Sequence, residues 1–233
     1  METIKARLIE TIDRTPSIRS FRFMPQERIG FLPGQFLQVI FDPAQKELNK
    51  YLSFSCSPTK EYIEFTKRLS SSAFSERLRG LKSGDEVLLK APLGSCVFKE
   101  EYKKIAFLIG GIGITPVISI LEYIADKGLK NDALLFYSNR TDEDIAFREE
   151  LDLLQSLLKN IRAFYMVTEY EPRDKKCLFG RIDKELLIKE MNDYRERILF
   201  IFGPPKMVEA MQGLCLDIGC KEENVKTENF IGY

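Results

Sequence analysis

The chain of 233 residues carries 35 Lys+Arg against 35 Asp+Glu, so no net field of either sign recruits nucleic acid or an anionic membrane surface. It contains no histidine, which excludes histidine triads, histidine-ligated metals and a histidine general base. At 44% hydrophobic and 30% charged it has a globular balance, with length for two domains and no apolar run near the roughly 20 residues that span a bilayer.

Up to about Val97 the chain is punctuated like an antiparallel β protein. Ile4 to Ile12, Ile18 to Phe23, Phe36 to Phe41, Tyr62 to Thr66 and Glu86 to Lys90 are rich in branched and aromatic residues. Pro16, Pro25, Pro33-Gly34, Pro43 and Gly84-Asp85 separate them. Short, regularly spaced strands of this kind suggest a closed barrel, interrupted by one helix from about Phe74 to Leu81. From Ile105 the pattern changes. Strands are expected at Ile105 to Ile109, Ala133 to Tyr137, Ala163 to Thr168 and Ile198 to Phe202. Helices are expected at Thr115 to Ala125, Asp144 to Leu158, Asp183 to Asn192 and Pro205 to Leu216. Such alternation implies a parallel sheet with right-handed crossovers. The boundary falls in the charged stretch after Phe98, giving domains of 1–98 and 99–233.

The opening Met1-Glu2-Thr3-Ile4-Lys5 lacks the apolar core of a signal peptide, so a cytoplasmic location is expected. The scattered Cys56, Cys96, Cys177, Cys215 and Cys220 form no Cys-x-x-Cys pair, so neither a disulfide framework nor a thiolate-held metal is expected. Chemistry in a chain without histidine leans on a cofactor that carries the reaction while the protein orients it.

The most informative stretch is Ile105 to Ile118. Five apolar residues run into Gly110-Gly111-Ile112-Gly113 and then into Thr115-Pro116, where Thr115 suits an N-cap and Pro116 the first helical position. Glycines admit a close anion and the helix start supplies free N–H groups. Pro116 stands where the dinucleotide fingerprint has its third glycine, so a plain strand-to-helix turn is the other reading.

Six motifs in order resemble the ferredoxin-NADP reductase family of flavoproteins over nearly the whole chain. They are Pro33-Gly34-Gln35-Phe36; Lys50-Tyr51-Leu52-Ser53 with Ser57-Pro58; Phe65-Thr66-Lys67-Arg68; Ser72-Ala73-Phe74-Ser75-Glu76-Arg77-Leu78; Gly110-Gly111-Ile112-Gly113-Ile114-Thr115-Pro116; and Phe202-Gly203-Pro204-Pro205-Lys206-Met207. The resemblance implies a two-domain fold: an antiparallel β-barrel flavin-binding domain, then an α/β parallel-sheet domain for the nicotinamide nucleotide. It implies FAD as cofactor and NAD or NADP as co-substrate.

By the same resemblance Lys50 meets the flavin pyrophosphate, Leu52 faces the isoalloxazine beside Tyr51, and Ser53 bonds near flavin N5. Phe65, Thr66 and Lys67 run beside the ribityl and phosphate groups. Ser72, Ala73, Phe74 and Ser75 form the helix start that holds pyrophosphate. Gly110, Gly111, Gly113, Thr115 and Pro116, with Gly203, Pro204 and Met207, hold the nicotinamide nucleotide. Ser138, Asn139 and Arg140 lie at the adenosine ribose, where Arg140 favours a 2′-phosphate while the Asn-x-Thr-x-x-Asp-Ile wording resembles the NADH-using cytochrome b5 reductases. Glu228 is expected near the reaction centre and Tyr233 over the flavin face opposite Leu52.

Lys replaces the family's Arg at 50, Leu its aromatic at 52, Ser72 a glycine and Phe202 a cysteine. The implied activity is an FAD-dependent NAD(P)H oxidoreductase that passes electrons to a separate ferredoxin- or flavodoxin-type carrier or a small-molecule acceptor. A reductase component of an oxygenase, a free-flavin reductase and a non-catalytic flavin- or nucleotide-binding subunit are the alternatives.

Overall fold

The computed structural model describes residues 3–230. Tyr233, expected over the flavin, lies outside the described residues. Spatial proximity groups the chain into two units, one running to Phe98 and including Thr115–Asp126, the other made of Lys99–Ile114 and the chain from Lys127 on. Among the described residues no helix is long and apolar enough to cross a membrane.

The first unit is built on β1 (Thr3–Thr15), β2 (Ile18–Pro25), β3 (Phe36–Ile40), β4 (Asn49–Ser53), β5 (Ile63–Arg68) and β6 (Glu86–Leu93), with α1 (Ala73–Gly80) between the last two strands. All pairings are antiparallel, in the order β4-β3-β6-β1-β2-β5. The sheet curls until a single bridge between Phe54 and Phe65 joins its two ends. Strand alternation sends Phe21, Phe23 and Phe65 inward, where their rings stack at 5.6 and 5.4 Å. The intervening Ser20, Arg22, Glu64 and Thr66 face the other way and form a polar network described below.

The second unit follows the expected alternation. β7 (Lys104–Gly110) leads into α2 (Ile114–Asp126), which itself groups with the first unit; then come β8 (Asp132–Asn139), α3 (Arg148–Leu157), β9 (Ile161–Val167), β10 (Cys177–Phe179), α4 (Lys184–Glu190), β11 (Ile198–Gly203), α5 (Pro205–Asp217) and β12 (Val225–Asn229). The sheet is parallel throughout, in the order β10-β9-β8-β7-β11-β12. Arg197 is buried at its amino end. It donates to the Ile105 carbonyl at 3.0 Å and to the Asp193 and Asp132 carboxylates at 2.6 and 2.7 Å, tying three strands together there. The carboxyl ends are left to the loops.

Two local expectations are corrected, and two strands are added. Thr115 does not cap α2, because a 3-10 turn over Gly111–Gly113 already winds the backbone and the helix begins at Ile114. Thr115 therefore sits inside the first turn. Helix α3 begins at Arg148 rather than Asp144, since Phe147 takes a left-handed φ of 59° and only a 3-10 turn covers Asp142–Asp144. The short edge strands β10 and β12 carry too few branched residues to announce themselves by pattern.

Candidate functional site

In a parallel sheet a ligand belongs at the carboxyl ends, beside the point where the strand order reverses. Here that point lies between β7 and β11, because β8, β9 and β10 extend to one side and β12 to the other. The turns leaving these two strands are Gly110–Gly113 and Gly203–Pro204, and they touch. A Cβ on Gly113 would strike the Phe202 carbonyl group, one on Gly110 the Met207 sulfur, and one on Gly203 would lie 3.3 Å from the Gly110 amide nitrogen. Gly111 differs. It takes a φ of 52° with nothing within 4 Å of where a Cβ would stand. Gly110, Gly113 and Gly203 thus let the two turns close on each other, while Gly111 supplies the positive φ and open space in front.

Beside them, β8 ends in Ser138 and Asn139. Asn139 is buried, and neither its amide nitrogen nor its amide oxygen finds a partner among the described residues. Such a side chain costs stability unless something else satisfies it, which suits the edge of a ligand site. Arg140 is exposed and donates to Glu169 Oε1 at 2.9 Å. On the other flank Glu228, in β12, pairs in register with Phe202. Its Oε2 is buried without a partner among the described residues, and burial pushes its carboxyl group up to about 7.

That shift has a stability consequence. A carboxyl group that holds its proton more tightly when folded loses stability as pH rises from its unfolded value near 4.5 through 7. Glu228→Gln removes the loss. Its melting temperature relative to the unmutated protein is expected to rise by roughly 2–6 °C between pH 5 and pH 8, read by thermal denaturation in parallel buffers. A constant difference across that range contradicts the assignment.

The first unit gathers a second group of cationic and hydroxyl side chains. Lys50 on β4 is exposed, whereas Lys67 on β5 is buried with its ammonium donating to the Arg68 carbonyl at 3.2 Å. Burial first, and the nearby Lys50 ammonium second, lower the Lys67 pKa. Two cations held together, one of them desolvated, favour an anion between them. The hydroxyls of Ser70, Ser72 and Ser75 cluster at the start of α1, with Ser72 accepting from the Ser75 amide at 3.3 Å. The donor set suits a diphosphate.

Several sequence-derived residues turn out to serve the barrel. Phe65 is stacked between Phe21 and Phe23, and Phe74 is fully buried with its ring 5.3 Å from that of Phe41, so only the backbone of each can meet a ligand, while Ala73 beside them is exposed. The Thr66 hydroxyl bonds Ser20 Oγ at 2.6 Å and Ser55 Oγ at 2.8 Å. Leu52 packs against the barrel core, while Tyr51 across the strand is 63% exposed and meets Phe36 edge-on. Ser53 is buried at the end of β4.

Sequence reasoning missed the network around Glu64. This buried carboxylate accepts from Arg22 Nε at 2.7 Å, Ser55 Oγ at 2.9 Å and Arg14 Nη2 at 3.4 Å, and so fixes the segment just beyond Ser53. The only available signal was a charge alternating with aromatics along β5.

Comparison with known proteins follows the same division. Residues 5–98 match the oxidoreductase FAD-binding domain and residues 107–213 the oxidoreductase NAD-binding domain. The chain is 28% identical over 222 residues to NADH-cytochrome b5 reductase 2 of Meyerozyma guilliermondii, covering 91% of this chain and 76% of that protein. It is 28% identical over 233 residues to the glycine betaine monooxygenase reductase subunit of Chromohalobacter salexigens, covering 96% of this chain and 63% of the relative's length. Among solved structures, a ferredoxin NADP+ reductase from Neisseria gonorrhoeae with bound FAD and NADP superposes with a TM-score of 0.83 at 21% identity, covering 98% of this chain and 99% of that one.

Proposed function

Since the chain belongs to the ferredoxin-NADP reductase-like family of FAD-dependent NAD(P)H oxidoreductases, we propose that residues 1–98 hold FAD, residues 99–233 hold the nicotinamide nucleotide, and the electrons leave to a separate one-electron carrier. The observation that supports this reading is the presence in one chain of two clusters suited to a diphosphate, Lys50 with Lys67 in the barrel and the paired glycine turns at the sheet's reversal point.

The bound flavin supplies hydride acceptance and release of electrons singly or in pairs. The chain supplies the rest. Lys50 and Lys67 neutralise the flavin diphosphate, with the serine hydroxyls and backbone N–H groups at the start of α1 as further donors. Ser53, buried at the end of β4, would meet the N5 edge of the flavin, and Leu52, packed on the barrel core, would support that segment from behind. Gly110, Gly111, Gly113 and Gly203, with Pro204 and Met207 beneath them, hold the nucleotide diphosphate, and Thr115 and Pro116 continue that turn. Ser138 and Asn139 meet the adenosine ribose. Glu228 would face the nicotinamide with a carboxyl group able to change protonation near pH 7. With both groups bound, these residues would serve to orient donor and acceptor, which is what lowers the entropic cost of hydride transfer.

The donor is NADH rather than NADPH. Glu169 neutralises Arg140 and sets a carboxylate where a 2′-phosphate would approach. Glu169→Gln is expected to raise the NADPH to NADH ratio of kcat/KM roughly tenfold, with little change for NADH. An unchanged ratio argues against this selection. The acceptor is a ferredoxin- or flavodoxin-type protein or the iron centre of an oxygenase, and the location is cytoplasmic. The overall reading is tested by FAD-dependent reduction of ferricyanide by NADH; saturable turnover supports it, and flavin binding without turnover contradicts it.

A further inference from the structure

Helix α2 has a polar stripe that begins at the nucleotide turn with Thr115 and whose far half neither nucleotide nor flavin binding explains. Thr115, Ser119, Glu122 and Asp126 follow at spacings of four, three and four, which places them on one face of an α-helix, among the apolar Val117, Ile118, Ile120, Leu121 and Ile124. The far half of the stripe grips the turn Ser57–Lys60 of the flavin unit, four residues beyond Ser53. The Ser57 amide donates to Glu122 Oε2 at 2.9 Å. Thr59 Oγ1 donates to Asp126 Oδ2, and Lys60 Nζ to Asp126 Oδ1 at 3.1 Å. The turn is closed on itself by Lys60 N to the Ser57 carbonyl at 3.1 Å and by the paired Ser57 and Thr59 hydroxyls at 2.8 Å. Ser57 is fully buried, so its amide has no water to fall back on. The Ser119 hydroxyl, further up the stripe, is buried without a partner among the described residues.

We propose that Glu122 is a positioning residue for hydride transfer: by holding the Ser57 amide it makes the helix that continues the nucleotide turn move as one body with the flavin segment Ser53–Ser57. This inference rests on the oxidoreductase reading. Helix α2 lies in the chain between two strands of the nucleotide sheet yet groups in space with the flavin barrel, and Glu122 with Asp126 is the polar reason that it does. The carboxylate sits in a mostly buried setting. Lys60 faces it from the turn, Cys56 and Tyr62 from the flanks of the turn, Glu64 from β5, and Asp126 from its own helix. Burial, with the Glu64 and Asp126 charges behind it, pushes Glu122 up to about 7 against the opposing pull of the Ser57 amide. Above that pH the bond from Ser57 is charge-assisted and tighter.

The test compares unmutated protein, Glu122→Ala and Glu122→Gln, each loaded with FAD. Anaerobic rapid mixing with saturating NADH gives the limiting rate of flavin reduction, and amide hydrogen exchange of the peptide spanning 53–60 gives a readout independent of turnover. Glu122→Ala is expected to keep its flavin and its nucleotide affinity, to reduce about tenfold more slowly, and to exchange the Ser57 amide at least about tenfold faster. Glu122→Gln retains an acceptor, so it keeps slow exchange and a near-normal rate. It also loses the rise in rate through pH 7 that the unmutated protein shows. Native exchange and rate in Glu122→Ala overturn the proposal. Should Glu122→Ala fail to fold, a pH profile in Glu122→Gln identical to the unmutated one overturns it equally. If NADH does not reduce the unmutated protein, the oxidoreductase reading fails, and the exchange data still decide whether Glu122 holds the turn.

Discussion

Replacing Gly113 with alanine is expected to abolish most nucleotide-dependent flavin reduction while leaving flavin binding intact. The cause is steric. The added methyl group would enter the Phe202 carbonyl, with the Gly203 amide nitrogen 3.1 Å away, and these are backbone atoms at the end of a central strand that cannot swing aside. Overpacking at such a point costs about 1–3 kcal/mol and forces the two turns apart. Nucleotide affinity should fall at least about tenfold, because a diphosphate held by converging turns loses several contacts at once.

The neighbouring glycines grade the effect. At Gly110 the obstacle is the flexible end of Met207, so alanine is tolerated better. At Gly111 there is open space, and only the left-handed φ is strained, at about 1 kcal/mol. The order Gly113, Gly110, Gly111 in NADH affinity, measured by titration of flavin-loaded protein, checks the packing of the two turns. Equal effects at all three contradict it.

The second large effect concerns the barrel cradle. Each charge-assisted contact to a diphosphate contributes about 1.5–3 kcal/mol, so Lys50→Ala or Lys67→Ala should weaken FAD binding tenfold or more, and the double variant roughly a hundredfold or more. Stability moves the other way at residue 67. A buried lysine whose pKa is lowered in the folded state costs stability wherever the unfolded chain keeps it charged, that is, below about pH 10. Lys67→Met should therefore melt at a higher temperature than the unmutated protein when both lack flavin, while binding FAD more weakly. Loss of stability together with unchanged FAD affinity would show that Lys67 serves the barrel alone.

The order of elements was legible because each half of the chain keeps a single period, two residues in the barrel strands and the strand-helix alternation beyond Ile105. The glycine turns and the Pro204-containing turn were legible for a related reason. Close backbone approach needs residues without side chains, and such residues stand out in a row of letters. What stayed hidden depends on register. Nothing in Phe65-Thr66-Lys67 says that the ring joins the core, the hydroxyl an internal network and only the ammonium the side of Lys50, until β5 is paired residue by residue with β2. The start of α2 was misread because Thr115 and Pro116 are good cap and first-turn residues, while the 3-10 turn ahead of them had already begun the winding. The Glu64 network and the Glu122 clasp join residues far apart in the chain, which local patterning does not report.

The central claim is that this chain accepts hydride from a nicotinamide nucleotide onto a flavin that it holds itself. The most direct measurement is an anaerobic titration of the FAD-loaded protein with NADH and, separately, NADPH, followed by the visible flavin band. Full bleaching by one NADH per flavin is expected, with NADPH acting more slowly. A flavin band that persists with either nucleotide in excess, on a protein that nonetheless binds both, would contradict it.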